Sequence, residues 1–305
     1  MDYIYGPIPS RRLGRSLGIS PIPKKTCNYA CIYCQLGRTD RMTNEPARFF
    51  RVADILKAFD LFLEKGIDFD VVTIVGEGEP TLYLDLKELI EGIRKRTNKP
   101  LAVITNGSLL TEPAVRDALM LVDIVLPSLD AYDERTFKAI NRPHGSLRYE
   151  DVYQGLVDFA KVYPGALWLE IMLIKGFNDD ERALKQFEER LSLIDYDKLY
   201  LNAPVRPPAE GYVLPTDAET MKRFSIELGG ISIDLLNRSG FQSAIEDDYE
   251  AIMSIIRRHP MNQYELASFL EQRGCKNEQE LLERLRQDEA VEVIRFRTYE
   301  TYRLK

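Results

Sequence analysis

Thr26-Cys27-Asn28-Tyr29-Ala30-Cys31-Ile32-Tyr33-Cys34 is the stretch whose reading decides the fold. Three of the four cysteines in this 305-residue chain fall inside it, spaced C-x3-C-x2-C, and the fourth, Cys275, lies near the C-terminus. A structural zinc site takes four protein ligands, so three thiolates on one short loop leave it incomplete. A [4Fe–4S] cube takes one thiolate per iron, so the same three leave one iron without a protein ligand. A catalytic cluster needs that vacancy, because a small molecule then chelates the open iron. On the residues alone, a zinc site completed by Cys275 or a histidine, and three incidental thiols, stand beside the cluster as alternatives.

Working outward, the composition is that of a globular protein, 45% apolar and 29% charged. No long uncharged apolar run and no basic-plus-apolar leader argues for a membrane or for export. Four cysteines, three of them clustered, do not make a disulfide framework, and a cytoplasmic location is expected. A net charge of −7 argues against broad, charge-driven nucleic-acid binding.

Before the cysteine loop, the prolines and glycines of residues 1–25 disfavour a long helix, and residues 16–22 suit a short strand. Arg11, Arg12 and Arg15 read either as a solvated basic face or as groups facing an anionic substrate. After the loop, residues 48–65 carry Val52, Ile55, Leu56, Phe59 and Leu63 on one side, the pattern of an amphipathic helix. Short apolar runs of buried-strand type then alternate with helical segments. The runs are residues 71–75, 101–105, 123–126, 167–174 and 199–202. The helical segments are 85–96, 112–120, 134–140, 150–162, 181–193 and 216–228. Such alternation implies a parallel sheet with helices outside it. In parallel barrels the chemistry sits at the C-terminal strand ends, where Gly76-Glu77-Gly78-Glu79-Pro80, Thr105-Asn106-Gly107 and Ser128-Leu129-Asp130 fall.

Near residue 246 the character changes, giving expected segments 1–245 and 246–305. Residues 249–258, 261–272 and 277–287 read as helices, and 290–305 as a strand pair turning near Arg297-Thr298-Tyr299. Three helices and a hairpin resemble a small winged-helix module. Arg295, Arg297, Arg303 and Lys305 could touch a phosphate backbone, but Glu278, Glu280, Glu283 and Asp288 make the third helix a poor surface for a DNA groove. A lid, or a protein- or substrate-docking role, is therefore preferred.

The C-x3-C-x2-C spacing, with Tyr33 just before the last cysteine, resembles the radical S-adenosylmethionine (SAM) superfamily. The resemblance implies that SAM chelates the open iron and that the reduced cluster cleaves it to a 5′-deoxyadenosyl radical. Counting the strand before the loop, the six strand–helix units resemble that superfamily's α/β fold, a partial (β/α)6 barrel. Gly76 to Pro80 matches its Gly-Gly-Glu-Pro-like motif, with Glu77 where the first paired glycine often lies. By this resemblance Cys27, Cys31 and Cys34 hold the metal cluster, and Glu79, between Gly78 and Pro80, meets the SAM ammonium. Tyr33 packs near adenine, and Ser128 and Asp130 serve the ribose, with Asn106 beside them. Helix capping is the plainer reading of those short polar residues. Glu170 shares a strand face with Met172 and can point inward toward SAM or substrate. Arg206 suits a carboxylate or phosphate on the substrate. His144 and His259 receive no role.

Within the superfamily, residues 76–178 look most like the radical-SAM enzymes of tRNA wybutosine synthesis. Gly-Glu-Pro-Thr-Leu-Tyr, Thr-Asn-Gly, Ser-Leu-Asp-Ala, Ile140-Asn141-Arg142-Pro143 and Lys175-Gly176-Phe177-Asn178 carry that likeness. Those enzymes use a second cluster, for which this chain has too few cysteines, so the tRNA substrate is not carried over. The expectation is an enzyme with one [4Fe–4S] cluster that abstracts hydrogen from a small molecule, peptide or RNA. It would be fed by an external electron donor such as ferredoxin or flavodoxin. The alternatives are an RNA-base modifier using the C-terminal module as handle, and an Fe–S-containing DNA-binding redox regulator. Cys275 is either a small packing residue or a hydrogen-atom donor that quenches a substrate radical.

Overall fold

The structure, a computed structural model, describes residues 3–233, 241, 243, 245–275, 277–296 and 299–305. Arg297 and Thr298 of the expected C-terminal turn lie outside the described residues. No helix among the described residues is long and apolar enough to cross a membrane.

Strands β1 (Ile4–Ser10) and β2 (Gly14–Ile19) form an antiparallel hairpin. The prolines of β1 do not exclude it from a sheet, because β1 is an edge strand with one ladder to satisfy. The cysteine loop follows, opened by β3 (Thr26–Cys27), which pairs in parallel with β4 (Arg41–Met42). Helix α1 (Val52–Leu63) then leads to β5 (Val71–Ile74), α2 (Leu86–Arg94), β6 (Leu101–Thr105), α3 (Pro113–Leu119) and β7 (Ile124–Pro127). Two helices, α4 (Glu134–Ile140) and α5 (Tyr149–Ala160), precede β8 (Ala166–Met172). The run ends with α6 (Glu181–Leu191), β9 (Lys198–Asn202), α7 (Ala218–Glu227) and a two-residue β10 (Ile231–Ser232).

The large sheet has the order β1-β2-β5-β6-β7-β8-β9-β10, and every pairing after the first hairpin is parallel. The six expected strand–helix units are present as a partial (β/α)6 barrel, extended by β1 at one edge and β10 at the other. Strand alternation sorts its two faces. Leu17, Ile19, Val72, Ile74, Val103, Val125, Leu169, Ile171 and Leu201 join the main core with helix residues such as Ile55, Phe59, Leu89, Phe159 and Phe187. On the other face a small cluster of Leu13, Val71, Ala102 and Leu126, with Trp168 against it, fills part of the interior. Ser16, Thr73, Ile104, Ser128, Glu170, Met172 and Asn202 line a cavity.

The C-terminal part comprises α8 (Asp248–Ile256), β11 (Met261–Asn262), α9 (Gln263–Gln272), α10 (Glu278–Gln287), β12 (Val291–Phe296) and β13 (Tyr299–Leu304). Its sheet has the order β11-β13-β12, antiparallel throughout. The sequence pattern led one to expect a helix from Met261. Instead Met261 and Asn262 pair with β13, and Asn262 caps α9 in a capping box with Glu265. This part has its own core, built on Ile252, Ile255, Leu266, Phe269, Leu285 and Tyr302, but Ile8 of β1 belongs to that core too.

Candidate active site

The loop holding the three cysteines owes its shape to backbone bonds. The Cys34 N–H donates to the Cys31 carbonyl at 3.1 Å and that of Gly37 to Cys34 at 3.1 Å, while Ala30 and Ile32 donate to Asn141 and Ile140 at 3.0 and 2.9 Å. All three thiols open on one cavity of about 420 Å³, within the range of small-molecule sites. Burial pushes every one of them up, Cys27 to about 12. The Asn141 amide donates to the Cys31 sulfur at 3.5 Å, and the Asn106 amide lies 3.8 Å from that of Cys27.

At the end of β5 the chain must pass close under the loop. A Cβ on Gly78 would stand 1.7 Å from the carbonyl oxygen of Thr26, so only glycine fits there. Pro80 then begins a short 3-10 helix, Pro80–Leu82, capped by Glu79. The Glu79 carboxylate is 2% exposed and lines the cavity. One oxygen accepts from Thr81 N at 3.0 Å and from the hydroxyls of Thr81 and Thr105 at 2.6 Å each, and the other, among the described residues, accepts only from Asn106 N at 2.7 Å. Burial raises its pKa, and those donors oppose the shift.

Tyr33, Asn106, Ser128, Glu170 and Gly78 all line the same cavity. Two of the expected cofactor-binding residues do not. Pro80 is buried and shapes the turn behind Glu79. Asp130 lies behind the cavity wall, where it takes hydrogen bonds from the Tyr33 hydroxyl, from Asn141 Nδ2 at 2.9 Å and from Met172 N at 2.9 Å. Its contact with Tyr33 and Asn141 makes it a support for the cysteine loop. Burial pushes its pKa up to about 6. Cys275 does not line the cavity; it packs against the C-terminal core.

The arginines divide. Arg15 is on the surface with Asp68 and Asp70 at 2.7 and 2.9 Å. Arg12 lines the cavity, paired with Glu170 on β8, while Arg11 reaches the Ile233 carbonyl at 3.2 Å. Arg206 is 5% exposed and binds the Pro260 carbonyl, Glu265 at 3.1 Å and the His259 ring at 2.6 Å. It lines the cavity, and its guanidinium grips the C-terminal part. Arg258 and His259 of that part complete the cavity wall, which nothing in their local sequence signals.

A partial parallel barrel with three cysteines at its cavity defines a class of protein. The chain belongs to the radical SAM superfamily, whose profile matches residues 22–187. Among its relatives, "UPF0026 protein MJ1312" of Methanocaldococcus jannaschii is 36% identical over 274 residues, which cover 86% of this chain and 84% of that one. A UPF0026 protein of Helicobacter pylori is 33% identical over 294 residues and 92% of each chain. The crystal structure of a radical SAM methyltransferase from Sphaerobacter thermophilus shares the fold, with a TM-score of 0.56 at 16% identity over 72% of this chain and 68% of that one.

Radical SAM enzymes use a [4Fe–4S] cluster and S-adenosylmethionine, and the residues present fit both. Among the described residues no three His, Cys, Asp or Glu side chains converge as a single metal ion would need. A cube asks instead for thiolates spread over three corners, with the fourth facing a cavity. The polar wall of Glu79, Asn106, Ser128 and Glu170 offers carboxylate, amide and hydroxyl groups, the donors and acceptors that an amino acid joined to a ribose requires.

Proposed function

We propose that Cys27, Cys31 and Cys34 hold a single [4Fe–4S] cluster and that the adjoining cavity binds SAM and an organic substrate, from which the enzyme abstracts hydrogen. The observation that carries this reading is the opening of all three thiols on the same cavity as Glu79, Asn106, Ser128 and Glu170. When bound and reduced, the cluster supplies the electron that cleaves SAM. The chain's own residues bind and orient. Glu79, with a single donor on its second oxygen, has a lone pair left for an ammonium group. Asn106 and Ser128 serve ribose hydroxyls, Tyr33 the adenine face, and Glu170, held by Arg12, fixes the far wall. Asp130 acts behind them by positioning Tyr33. The chain divides near residue 245 into this barrel and a winged-helix-like module whose Arg258 and His259 wall the cavity. An external one-electron donor feeds the cluster.

Anaerobic reconstitution tests the reading. The protein is expected to take up about four irons and four sulfides, and Cys27→Ala, Cys31→Ala or Cys34→Ala to lose most of them. With reductant the wild type converts SAM to 5′-deoxyadenosine and methionine. A full cluster in all three variants, or stoichiometric zinc in anaerobically isolated protein, would overturn the assignment.

A further inference from the structure

Asn141 ends α4 and sits in the segment 140–144, which is stitched to the cysteine loop from more than a hundred residues away in sequence. Its carbonyl accepts from Ala30 N at 3.0 Å, and the His144 N–H donates to the Asn28 carbonyl at 2.8 Å. The side chain is buried, 3% exposed. Its amide nitrogen has two protons and two partners, Asp130 Oδ2 at 2.9 Å and Cys31 Sγ at 3.5 Å. The carboxylate decides which way the amide faces. A flipped amide would set its carbonyl oxygen against Asp130 Oδ2, acceptor against acceptor, in a site shut off from water. Asp130 is itself pinned by Tyr33 and by Met172 N, so it cannot swing away. The second amide proton is therefore aimed at the sulfur.

We propose that Asn141 is a positioning residue that donates a hydrogen bond to the Cys31 thiolate and thereby raises the reduction potential of the cluster that thiolate holds. The inference rests on the reading of Cys31 as a cluster ligand. An N–H···S bond stabilises the reduced, more negative cluster more than the oxidised one, so its loss moves the potential down. The Tyr33 hydroxyl also meets Cys31 and is also held by Asp130, but it has one proton, which it donates to that carboxylate, whereas the Asn141 amide has a second proton for the sulfur.

The test uses reconstituted full-length protein carrying Asn141→Leu, which keeps the branched side-chain shape without the donor, and Asn141→Ser, which keeps a shorter donor. Iron and sulfide content is measured first, then the midpoint potential by titration followed by electron paramagnetic resonance. The expected result is a more negative midpoint in Asn141→Leu, with Asn141→Ser between it and the wild type. A merely structural role would lower cluster content and leave the midpoint of the loaded fraction where it was; a loaded Asn141→Leu with the wild-type midpoint overturns the proposal. Should neither variant hold iron, wild-type protein labelled with 15N in its asparagine side chains decides. A nitrogen coupling to the reduced cluster that persists in Asn106→Ala supports the bond, and its absence overturns it. Full cluster retention in Cys31→Ala would instead remove the underlying ligand assignment, and the proposal with it.

Discussion

Asp130 carries a buried carboxyl with three donors on its two oxygens, yet burial outweighs them and holds its pKa near 6 against 3.8 for an exposed aspartate. For an acid raised in the native state, the stabilising contribution is complete below the unfolded value of 3.8 and is lost as pH rises through about 6. At about 1.36 kcal/mol per unit, the total is roughly 3 kcal/mol. Asp130→Asn has no such titration. In cluster-free protein, the stability of the variant relative to wild type should therefore improve by roughly 3 kcal/mol between about pH 4 and pH 7. Denaturant melts of both proteins across that range measure it, and a constant difference would rule out the raised pKa. The residue also marks a limit of sequence reading. Ser-Leu-Asp after a strand announces a polar strand end, but whether the carboxyl faces the cavity or the loop behind it depends on Asn141 and Met172, which no local pattern links to it.

Elements were legible where their pattern is local and repeated. The parallel strands are short apolar runs, and their helices carry 3.6-residue stripes, so the six units could be counted from the chain. Strand β1 was not legible, because its prolines and glycine read as loop until an edge position is known. Strands β10 and β11 are two residues each, too short to alternate. The Asn262-x-x-Glu265 capping box marks the true start of α9, a signal that the expected start at Met261 passed over. Between β8 and α6 lies an element-scale device that the motif Lys175-Gly176-Phe177-Asn178 did not reveal. Asn178, 0% exposed, accepts from Ile174 N at 2.7 Å and donates to the carbonyls of Met172 at 2.8 Å and Asp130 at 2.9 Å. It ties the exit of β8 to the exit of β7. Asn178→Ala leaves three backbone groups without this partner, at ~1–3 kcal/mol for a stranded buried group. A loss of about 3 kcal/mol is expected, read as a lower denaturant midpoint with unchanged slope. A loss below about 1 kcal/mol would mean that the turn holds itself.

At the scale of the molecule, the C-terminal part is fastened to the barrel beside the cysteine loop. Ile8 of β1 enters its core, Lys24 Nζ binds the Lys305 carbonyl at 2.7 Å, and Arg206 holds Glu265. The contact with the largest consequence is Glu77 with Arg258, at 3.3 Å, their side chains 8% and 6% exposed. The Arg258 guanidinium also lies over the Tyr5 ring, 4.8 Å from its centre. Glu77 occupies the place where the superfamily's motif often has glycine, and its carbonyl accepts from Lys25 N at 2.5 Å at the entrance to the loop. The departure from the motif thus has a physical use: a carboxylate at the strand end reaches Arg258, which walls the cavity. Removing the Arg258 guanidinium takes the ion-pair partner from the buried Glu77 carboxylate, at about 3–5 kcal/mol for a buried pair broken on one side, whereas removing both charges relieves that cost. Glu77→Gln and Arg258→Met should each destabilise the full-length protein strongly, and the double variant should lose less than the sum by at least ~1 kcal/mol. The single variants should also reconstitute with less iron than wild type, because the same strand end anchors the loop. Strictly additive losses, or single variants that load iron fully, would mean that the two parts are held by their apolar contact and that Glu77 is a tolerated passenger at a glycine position.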